Sequence, residues 1–359
     1  MNTSELKYLL NKIYNDDLPE LNDLITILKI NDSYLLQILF EFANDIKKKF
    51  FNNEILIRGV IEFSNYCSKD CFYCGLNKNN QSLKRYILSD TEILNTTNLL
   101  FEKKIKTVVL QSGEIYSFNS DWLANIIREI KKNFDIAITL SVGEKKYEDY
   151  KKWRITGADR YLLKIETTNQ KLYDKLHTIS NYMNRLNCLQ YLKELNYQTG
   201  SGNIIGLPEQ TIESIANDIL FFKKENFDMI AIGPFIPHPL TKLANKKKGD
   251  ILLTLKTIAL TRIVTKNAHI PATTALSTFD KDYRADAINC GANVIMIKCT
   301  PAPYNNYYEI YKSDKRKMLS IEEKIAEVEK IAEETGNEIS FKKGDSLKKE
   351  SELYVSHTS

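Results

Sequence analysis

The sequence is short of the features that define several large classes of protein. No apolar run approaches the roughly 20 residues of a membrane-spanning helix, and the first residues contain no signal-peptide core. Six cysteines in 359 residues, three of them crowded together, are poor material for a disulfide framework and fit a reducing compartment. We therefore expect a cytoplasmic protein that engages no membrane.

An excess of charge of one sign is also missing. The 50 basic residues are nearly balanced by 46 acidic ones, and the formal net charge is only +4. Lysine and arginine are scattered along the chain rather than banded, so no nucleic-acid partner is expected. The lysine runs at 47–49 and 246–248 are interpreted as solvated helix ends and loops.

After residue 50, short β-branched runs alternate with longer amphipathic segments. Such alternation predicts parallel strands joined by helices. The predicted strands are Ile55–Phe63, Thr107–Gln111, Ile136–Val142, Arg160–Ile165, Gly200–Ile205, Met229–Phe235, Ile270–Ala275 and Asn293–Cys299. Eight units over about 250 residues match an α/β fold of the (β/α)8 TIM-barrel type, and a doubly wound sheet is the alternative.

Three parts follow from this pattern. Residues 1–50 are predicted to form an N-terminal helical extension, and residues 51–313 the barrel. Residues 314–359 are predicted to form a C-terminal helix and a charged, polar tail that frays from Lys342 onward.

Helices are expected between the predicted strands because apolar residues recur there at helical spacing. The predicted segments are 90–104, 120–133, 145–156, 184–195, 211–225, 250–266 and 281–289. Asp90, Ser120 and Thr211 are the predicted N-caps of three of these helices.

Three cysteines lie within eight residues, in the order Cys67-Ser-Lys-Asp-Cys71-Phe-Tyr-Cys74. Three thiolates are one fewer than the four that complete a 4Fe–4S cluster or a closed zinc site, so one coordination position stays open for a small molecule. A zinc site would need a fourth Cys or His nearby, and none follows before His177. A zinc knuckle and three structural thiols are the alternatives.

Polar and glycine-rich segments follow the predicted strands at their carboxyl ends, where the catalytic groups of such a barrel collect. The cysteine motif follows the first strand. The other segments are Gln111–Glu114, Ser141–Glu144, Glu166–Thr168, Gly202–Glu209, Gly233–His238 and Thr273–Thr274. The sequence therefore predicts one shared site at this rim.

Three of these segments resemble the motifs of the radical SAM superfamily. The cysteine motif, with the aromatic Tyr73 before its last thiol, is similar to the cluster-binding signature of that superfamily. Ser112-Gly113-Glu114 is similar to its glycine-rich motif, and Gly202–Glu209 matches its G-x-I-x-G-x-x-E motif. The resemblance implies one 4Fe–4S cluster on Cys67, Cys71 and Cys74, with S-adenosylmethionine (SAM) at the open iron. It also implies reductive cleavage of SAM to a 5′-deoxyadenosyl radical inside an enclosing barrel.

The same resemblance implies which residues contact SAM. The candidates are Tyr73, Gln111, Ser112, Gly113, Glu114, Ser141, Glu166, Arg185, Ile204 and Gly206. Glu166 is a candidate for the methionine ammonium group and Arg185 for its carboxylate, through a bidentate contact. Ser141 could bond the ribose. The alternative for Arg185 is a surface ion pair, and the alternative for Ser141 is a turn cap.

Longer segments narrow the resemblance to the HydE family of FeFe-hydrogenase maturases. The similar segments, spread over about residues 20 to 311, are Ile61–Asn65, Cys74–Leu76, Lys84–Tyr86, Val109–Glu114, Gly157–Leu163, Asn184–Cys188, Gly233–Pro239, Pro271–Ala275 and Gly291–Met296. This resemblance implies a step in building the binuclear iron subcluster of the hydrogenase. A cysteine-bound iron that carries CO and cyanide would be converted by an adenosyl radical that attacks sulfur.

The implied partners are two other hydrogenase maturases. A tyrosine-cleaving radical SAM enzyme would supply the iron precursor, and a GTPase scaffold would receive the product. A reductant such as ferredoxin or flavodoxin would supply the electron. The substrate is expected to be a small anionic organometallic or amino-acid-derived molecule.

The family resemblance also implies residues around an inner cavity, namely Arg160, Lys164, Thr273, Thr274, Tyr304 and Tyr308. Cationic and hydroxyl groups of this kind suit a small anionic ligand. The alternatives are a barrel-end ion pair for Arg160 and ordinary strand positions for the two threonines.

Two departures from the family pattern matter. Lys164-Ile165-Glu166 stands where some members have arginine and histidine before the glutamate, so a possible proton carrier is missing. Some members carry C-terminal cysteines for an auxiliary cluster. No cysteine follows Cys299 here, which predicts a single cluster. Cys299 is also the spare thiol that could face the cavity.

Two other functions stay open at this point. A sister radical SAM mutase, such as methylornithine synthase, shares the signature and the barrel, although the segments around the sixth and seventh strands favour the maturase. A non-catalytic iron–sulfur protein would use the cluster only for electron transfer.

Overall fold

The computed structural model describes residues 1–115, 119–312 and 319–348 of the chain. Its α-helices are α1 (Thr3–Asn15), α2 (Leu21–Leu28), α3 (Ser33–Phe51), α4 (Asp90–Glu102), α5 (Ser120–Asn133), α6 (Tyr147–Thr156), α7 (Gln170–Leu176), α8 (Tyr182–Glu194), α9 (Ile212–Lys224), α10 (Ile251–Thr265), α11 (Arg284–Asn289) and α12 (Ile321–Glu334). Its strands are β1 (Glu54–Ser64), β2 (Thr107–Ser112), β3 (Ala137–Ser141), β4 (Arg160–Leu162), β5 (Gln198–Ile205), β6 (Met229–Pro234), β7 (Pro271–Ala272), β8 (Val294–Lys298) and β9 (Glu338–Ser340).

Strands β1 to β8 form one parallel sheet in the order β6-β5-β4-β3-β2-β1-β8-β7. The two ends of this order meet at a parallel bridge between Met229 and His269, where the Ile230 N–H donates to the His269 carbonyl oxygen at 2.9 Å. The sheet is thereby nearly closed, with helices between successive strands. The predicted (β/α)8 barrel is confirmed, and the doubly wound alternative is wrong.

Side chains of β1 show how the strands separate an outer core from the barrel interior. Ile57 and Ile61 belong to the apolar core that the helices cover. The alternate residue Arg58 reaches Met229 of β6, with 3.1 Å between its Nη1 and the sulfur. Glu62 lies four residues further along the same face of β1 and forms an ion pair with Lys298 of β8. This two-residue period places polar groups inside the barrel.

The N-terminal helices lie outside the barrel, with α2 against α9 and α3 against α10. Lys256 of α10 donates to the carbonyl oxygens of Leu28 and Ile30 at 2.6 and 2.9 Å. The interpretation of the first lysine run as solvated is wrong for Lys47, which is fully buried and donates to the Asn337 side chain at 3.2 Å. Burial lowers the pKa of Lys47 to about 7.

The C-terminal segment covers the amino-terminal end of the barrel. Strand β9 pairs in parallel with Glu54–Leu56 at the start of β1. Beyond it, the Gly344 carbonyl accepts a bond from Arg58 at 3.3 Å, and Asp345 accepts one from Arg160 at 2.6 Å. The expectation of a tail that frays from Lys342 is therefore wrong for residues 342–348, because two buried guanidinium groups need these partners. Residues 349–359 lie outside the described part of the chain.

Helix starts follow the capping rules, with one-residue shifts from the prediction. Thr211 caps α9, as predicted. The cap of α4 is Ser89 rather than Asp90, and Ser89 and Glu92 form a reciprocal capping box. The cap of α5 is Asn119 rather than Ser120, and its side chain accepts two backbone N–H bonds. The spacing of Ser89 and Glu92 was a signal that the sequence already contained.

The predicted division at residue 50 falls beside the end of α3, and the division at residue 313 lies outside the described residues. The three-part division stays a prediction. Within the ranges that the structure covers, no helix is both long and apolar enough to span a membrane.

Candidate active site

The cysteine loop, residues 65–80, leaves β1 at the carboxyl end of the barrel and is held by backbone bonds from three directions. The Ser68 N–H donates to the Glu114 carbonyl at 2.7 Å, which joins the loop to the end of β2. The Phe72 N–H donates to the Leu176 carbonyl at 3.1 Å, and the Gly75 N–H donates to the Ile310 carbonyl at 2.7 Å. These bonds fix the positions of the three cysteines before any ligand binds.

The three thiols lie near enough to one another in this loop for each to affect the pKa of a neighbour. Burial and then the neighbouring thiols of Cys74 and Cys67 raise the pKa of Cys71 well above its usual range. Burial and the thiol of Cys67 raise the pKa of Cys74 to about 12. Such thiols become thiolates when a metal lowers their pKa.

The spacing of these thiols distinguishes between the possible metal sites. Across the ranges that the structure describes, no three Cys, His, Asp or Glu side chains stand close enough to coordinate a single metal ion. A 4Fe–4S cluster does not need that convergence, because each of its irons takes a separate thiolate. The three thiols of this loop therefore fit such a cluster.

The glycine of the Ser112-Gly113-Glu114 segment allows β2 to approach the cysteine loop. A Cβ atom at Gly113 would collide with the Tyr66 carbonyl oxygen and would lie 2.9 Å from Cβ of Cys67. The Gly113 N–H donates to the Ser64 carbonyl at 3.0 Å. The close packing explains why this position carries glycine, and it joins two of the predicted motifs in one place.

Four charged side chains form a buried, electrically balanced cluster below the cysteine loop. Lys69 Nζ lies 2.8 Å from Glu114 Oε1 and 3.0 Å from Glu144 Oε2. Arg185 Nε donates to Glu144 Oε1 at 2.7 Å, and Arg185 Nη2 lies 3.7 Å from Glu114 Oε2. Burial would raise the pKa of Glu144, but Arg185 and Lys69 bring that pKa below its ordinary value.

This cluster changes the interpretation of Arg185. The surface ion pair considered as its alternative is wrong, because the guanidinium and its partners are buried. Arg185 Nη1 also donates to the Lys164 carbonyl at 2.8 Å. Two of its three nitrogens are thus committed to the protein, and Nη2 is the nitrogen best able to reach a ligand carboxylate.

Glu166 adopts an unusual backbone conformation at the end of β4. Its φ of +65° lies in the left-handed region, which costs a residue other than glycine about 1 kcal/mol or more. Two 3.0 Å bonds hold it there, from the Glu166 N–H to the Gly202 carbonyl and from the Ile204 N–H to the Glu166 carbonyl. The Glu166 carboxylate pairs with Lys164 at 2.9 Å. Strain that neighbouring strands maintain in this way is typical of functional sites.

A buried carboxylate supports the turn after Glu166. Asp218 of α9 accepts bonds from the Thr168 N–H and hydroxyl, both at 2.7 Å, and from the Asn203 amide at 2.8 Å. Burial raises the pKa of Asp218 to about 6 despite these bonds. No sequence motif pointed to this residue, because it lies on a helix outside every motif.

The G-x-I-x-G-x-x-E segment forms the end of β5 and the turn after it. Gly206 has a φ of +86°, and a Cβ atom there would lie 2.5 Å from the Gly249 Cα. Gln210 ties this turn together, since it accepts from the Gly206 N–H at 2.7 Å and donates to the Ile204 carbonyl at 2.9 Å. Ile204 packs against a small apolar cluster beneath the cysteine loop, formed by Leu172, Leu176, Leu207, Phe235 and Leu243 with Phe72 and Tyr73.

Tyr73 is held by a histidine that sequence reasoning missed. His177 Nδ1 lies 2.8 Å from the Tyr173 carbonyl, so Nδ1 carries the proton and Nε2 accepts. The Tyr73 hydroxyl donates to His177 Nε2 at 2.7 Å. Burial and Arg185 lower the pKa of His177 to about 4, which keeps the imidazole neutral.

The upper barrel interior contains a second polar group, which centres on Glu62. Its Oε2 lies 2.7 Å from Lys298 Nζ and accepts from the Thr300 hydroxyl at 3.0 Å. Beside it, Gln111 donates to the Tyr308 hydroxyl at 3.1 Å. Glu62 and Lys298 were missed, although the two-residue period of their strands could have placed both inside the barrel.

The remaining predicted residues divide into those near the strand ends and those elsewhere. Ser141 pairs with Gln111 in the ladder of β2 and β3. Thr273 Oγ1 donates to the Ile232 carbonyl at 3.3 Å, and the Thr274 hydroxyl lies 2.7 Å from that of Tyr311. These residues share the carboxyl end of the barrel with the cysteine loop.

Two of the predicted cavity residues lie elsewhere. Arg160 opens β4, bonds Asp345 and Thr107, and therefore occupies the amino-terminal end of the barrel. Its predicted place in the cavity is wrong, and its position as first residue of the strand could have indicated this. Tyr304 packs on Tyr86 and bonds Glu92 in the first turn of α4, so these contacts do not support a substrate role.

The spare cysteine and the rim histidine are engaged within the protein. The Cys299 thiol lies 3.4 Å from the Ile297 carbonyl in the apolar core, near Lys324 of α12. His238 is buried, and its Nδ1 accepts from the Leu240 N–H at 3.2 Å. The site therefore combines one group of three thiols with a polar rim and a polar barrel interior.

Comparisons with known proteins agree with this geometry. A model of the radical SAM superfamily matches residues 61–222. The FeFe-hydrogenase maturase subunit HydE of Thermotoga maritima is 50% identical over 284 residues, which cover 79% of this chain and 81% of that protein. A 3-methylornithine synthase of Methanosarcina acetivorans is 29% identical over 276 residues, 76% of this chain and 78% of the relative. The crystal structure of methylornithine synthase (PylB) has a TM-score of 0.81 at 24% identity, over 94% of this chain and 98% of that one, and shows the fold alone.

A (β/α)8 barrel with this cysteine loop at the carboxyl ends of its strands, and with the matching superfamily model, defines a radical SAM enzyme. The cofactors of that superfamily are a 4Fe–4S cluster and SAM. The chain is half identical to the Thermotoga maritima HydE over four-fifths of that protein, and it therefore belongs to the HydE family of FeFe-hydrogenase maturases.

Proposed function

We propose that this enzyme acts in the maturation of FeFe hydrogenase by radical chemistry on a small, anionic, cysteine-derived iron precursor that carries CO and cyanide. The observation that carries the proposal is the direct joining of the cysteine loop to the Ser112-Gly113-Glu114 segment, in a chain half identical to HydE. Together, the cluster and SAM supply a one-electron cleavage of a carbon–sulfur bond that yields a 5′-deoxyadenosyl radical.

The protein's part in this chemistry is to bind and orient. Cys67, Cys71 and Cys74 would hold the cluster as thiolates, and Gly113 leaves room for the loop against β2. Glu166, fixed in its strained turn, would accept the methionine ammonium group. Its present partner Lys164 lies on the same rim, so an ammonium ligand would compete with that ion pair.

The rest of the SAM molecule would lie along β3 and β5. Ser141 would bond the ribose, and the backbone around Ile204 and Gly206 would face the adenine. Arg185 would reach the methionine carboxylate through Nη2 while Glu144 holds the other side of its guanidinium group. Water would be kept out by the apolar cluster under Tyr73.

The substrate would lie deeper, among Lys164, Thr273, Gln111 and Tyr308, with Lys298 as a further cation. Tyr308 is buried beside Gln111, and its bond to that amide would fix one wall of the cavity. We further propose cytoplasmic partners: the tyrosine-cleaving maturase as donor of the precursor, the GTPase scaffold as acceptor, and a reductant such as ferredoxin or flavodoxin.

The test is activation of the hydrogenase in a purified system. The reconstituted enzyme, SAM and a reductant are given a synthetic iron complex of cysteine, CO and cyanide, and the scaffold and apo-hydrogenase are then added. Hydrogen evolution should depend on the enzyme and should be lost with Cys71→Ala. Hydrogen evolution of equal rate without the enzyme, or conversion of lysine to methylornithine instead, would contradict the proposal.

A further inference from the structure

The loop after β6, residues 240–249, rests on the cysteine loop. Leu243 is buried in the apolar cluster that also holds Phe72 and Tyr73. The ammonium group of Lys242 lies 3.9 Å from the centre of the Phe72 ring. Phe72 follows Cys71 directly in the chain and Tyr73 precedes Cys74, so this loop rests on the segment that carries two of the three thiols.

This loop carries cations and no anion. Lys242, Lys246, Lys247 and Lys248 are exposed, and no acidic residue occurs before Asp250, whose side chain caps α10. In the part of the chain that the structure describes, none of these four lysines forms an ion pair with a carboxylate. The run 246–248 is exposed, as expected of a solvated loop.

Lys175 and Glu209, of the adjoining segments, form an ion pair with each other and together add no net charge. The Asp70 carboxylate accepts a bond from the Thr178 hydroxyl. Tight turns keep the loop compact, since the Lys246 N–H donates to the Leu243 carbonyl at 3.0 Å. Four residues span at most about 14 Å, so the Cα atoms of the exposed Lys242 and Lys246 lie within about that distance of each other.

We propose that the face formed by Phe72, Lys242, Lys246 and Lys247 is the docking surface for an acidic one-electron carrier protein. The inference rests on the proposed function, because a SAM-cleaving cluster must receive one electron from outside the protein for each cleavage. The carrier loses that electron and the cluster gains it, with no bond made or broken. Electron transfer weakens steeply with distance, so the donor must dock on the surface nearest the cysteine loop. Complementary charge there would speed and orient the encounter.

The test compares the reconstituted wild-type enzyme with the triple variant Lys242→Glu/Lys246→Glu/Lys247→Glu. Affinity for oxidised flavodoxin is measured by titration at several salt concentrations, and zero-length carbodiimide cross-links are located by mass spectrometry. The wild-type enzyme should cross-link through these lysines and should bind more weakly as salt rises. The variant should bind about 10- to 100-fold more weakly and lose most of its salt dependence, since three attractive rim contacts become repulsive.

A matched control is Lys7→Glu/Lys29→Glu/Lys132→Glu, which makes the same charge change at exposed lysines of α1, of the C-cap of α2 and of α5. Deoxyadenosine formation is then measured with reduced flavodoxin and, separately, with dithionite. The docking variant should lose the flavodoxin-driven rate by at least about 10-fold and keep the dithionite-driven rate, while the control keeps both. Equal flavodoxin affinity in all three proteins, or cross-links at other lysines, would overturn the docking surface. Failure of the wild-type enzyme with dithionite would instead overturn the proposed function.

Discussion

The guanidinium group of Arg185 donates from Nε to Oε1 of Glu144 across 2.7 Å, and both side chains are at least 90% buried. The two residues lie on α8 and after β3, so the pair joins two barrel segments directly below the cysteine loop. Lys69, from the loop itself, is the second partner of Glu144.

Glu144→Ala should lower the free energy of unfolding by about 3–5 kcal/mol, because it leaves the two buried cations Lys69 and Arg185 with Glu114 as the one remaining carboxylate of the cluster. Urea titration of the unreconstituted protein measures this loss. The control is Glu148→Ala, which removes an acid from the first turn of α6. A loss below 1 kcal/mol for Glu144→Ala would show that the buried pair does not stabilise the loop.

Acid should weaken the hold on Tyr73 through His177. The pKa of His177 is about 4 in the fold and about 6.5 in the unfolded chain, so the unfolded state binds the proton more tightly. Its contribution to stability is therefore fully present above pH 6.5 and is lost as the pH falls through 4.

The measurement for His177 compares wild type with His177→Gln by urea titration at pH 7, 6, 5 and 4.5. Glutamine does not titrate, so the wild type should lose about 2–3 kcal/mol more than the variant over this range. Parallel pH profiles of the two proteins would contradict a buried, neutral imidazole.

Gly206→Ala should weaken SAM binding and lower stability by more than Gly336→Ala does. Both glycines have positive φ, +86° and +64°, so both substitutions carry the same backbone cost of about 1 kcal/mol. Only at Gly206 would the new Cβ meet another backbone, 2.5 Å from the Gly249 Cα, whereas Gly336 has nothing within 4 Å. Equilibrium dialysis with SAM and thermal melts of both variants measure the difference. Equal effects in the two would remove the steric argument for the β5 turn.

Asp345→Ala should lower stability by about 1–3 kcal/mol and leave the rate of SAM cleavage per reconstituted cluster unchanged. The substitution leaves the buried Arg160 guanidinium without its carboxylate at the end of the barrel opposite the thiols. Thermal melting and deoxyadenosine formation test the two halves of this prediction. A clear fall in the rate of SAM cleavage per cluster in Asp345→Ala would contradict this prediction and would support a place for Arg160 in the active cavity.

The strands and helices of the barrel could be predicted from the sequence because β-branched runs and helical spacing are local patterns. The cysteine loop could also be recognised from the sequence, since its three candidate ligands lie within eight residues. Arg160 was misplaced although it opens its strand, because its partner Asp345 belongs to a segment with no strand or helix pattern. His177 was missed for the same reason, as it lies 104 positions from Tyr73 and only the fold brings the two together.

The most direct measurement of the central claim is anaerobic reconstitution with iron and sulfide, followed by reduction with dithionite and addition of SAM. We expect a brown protein with one cluster of four irons, and 5′-deoxyadenosine and methionine formed in equal amounts. Cys71→Ala should melt at the temperature of the unreconstituted wild type and form neither product. A wild-type protein that stayed colourless, that bound zinc in place of iron, or that left SAM intact would contradict the account.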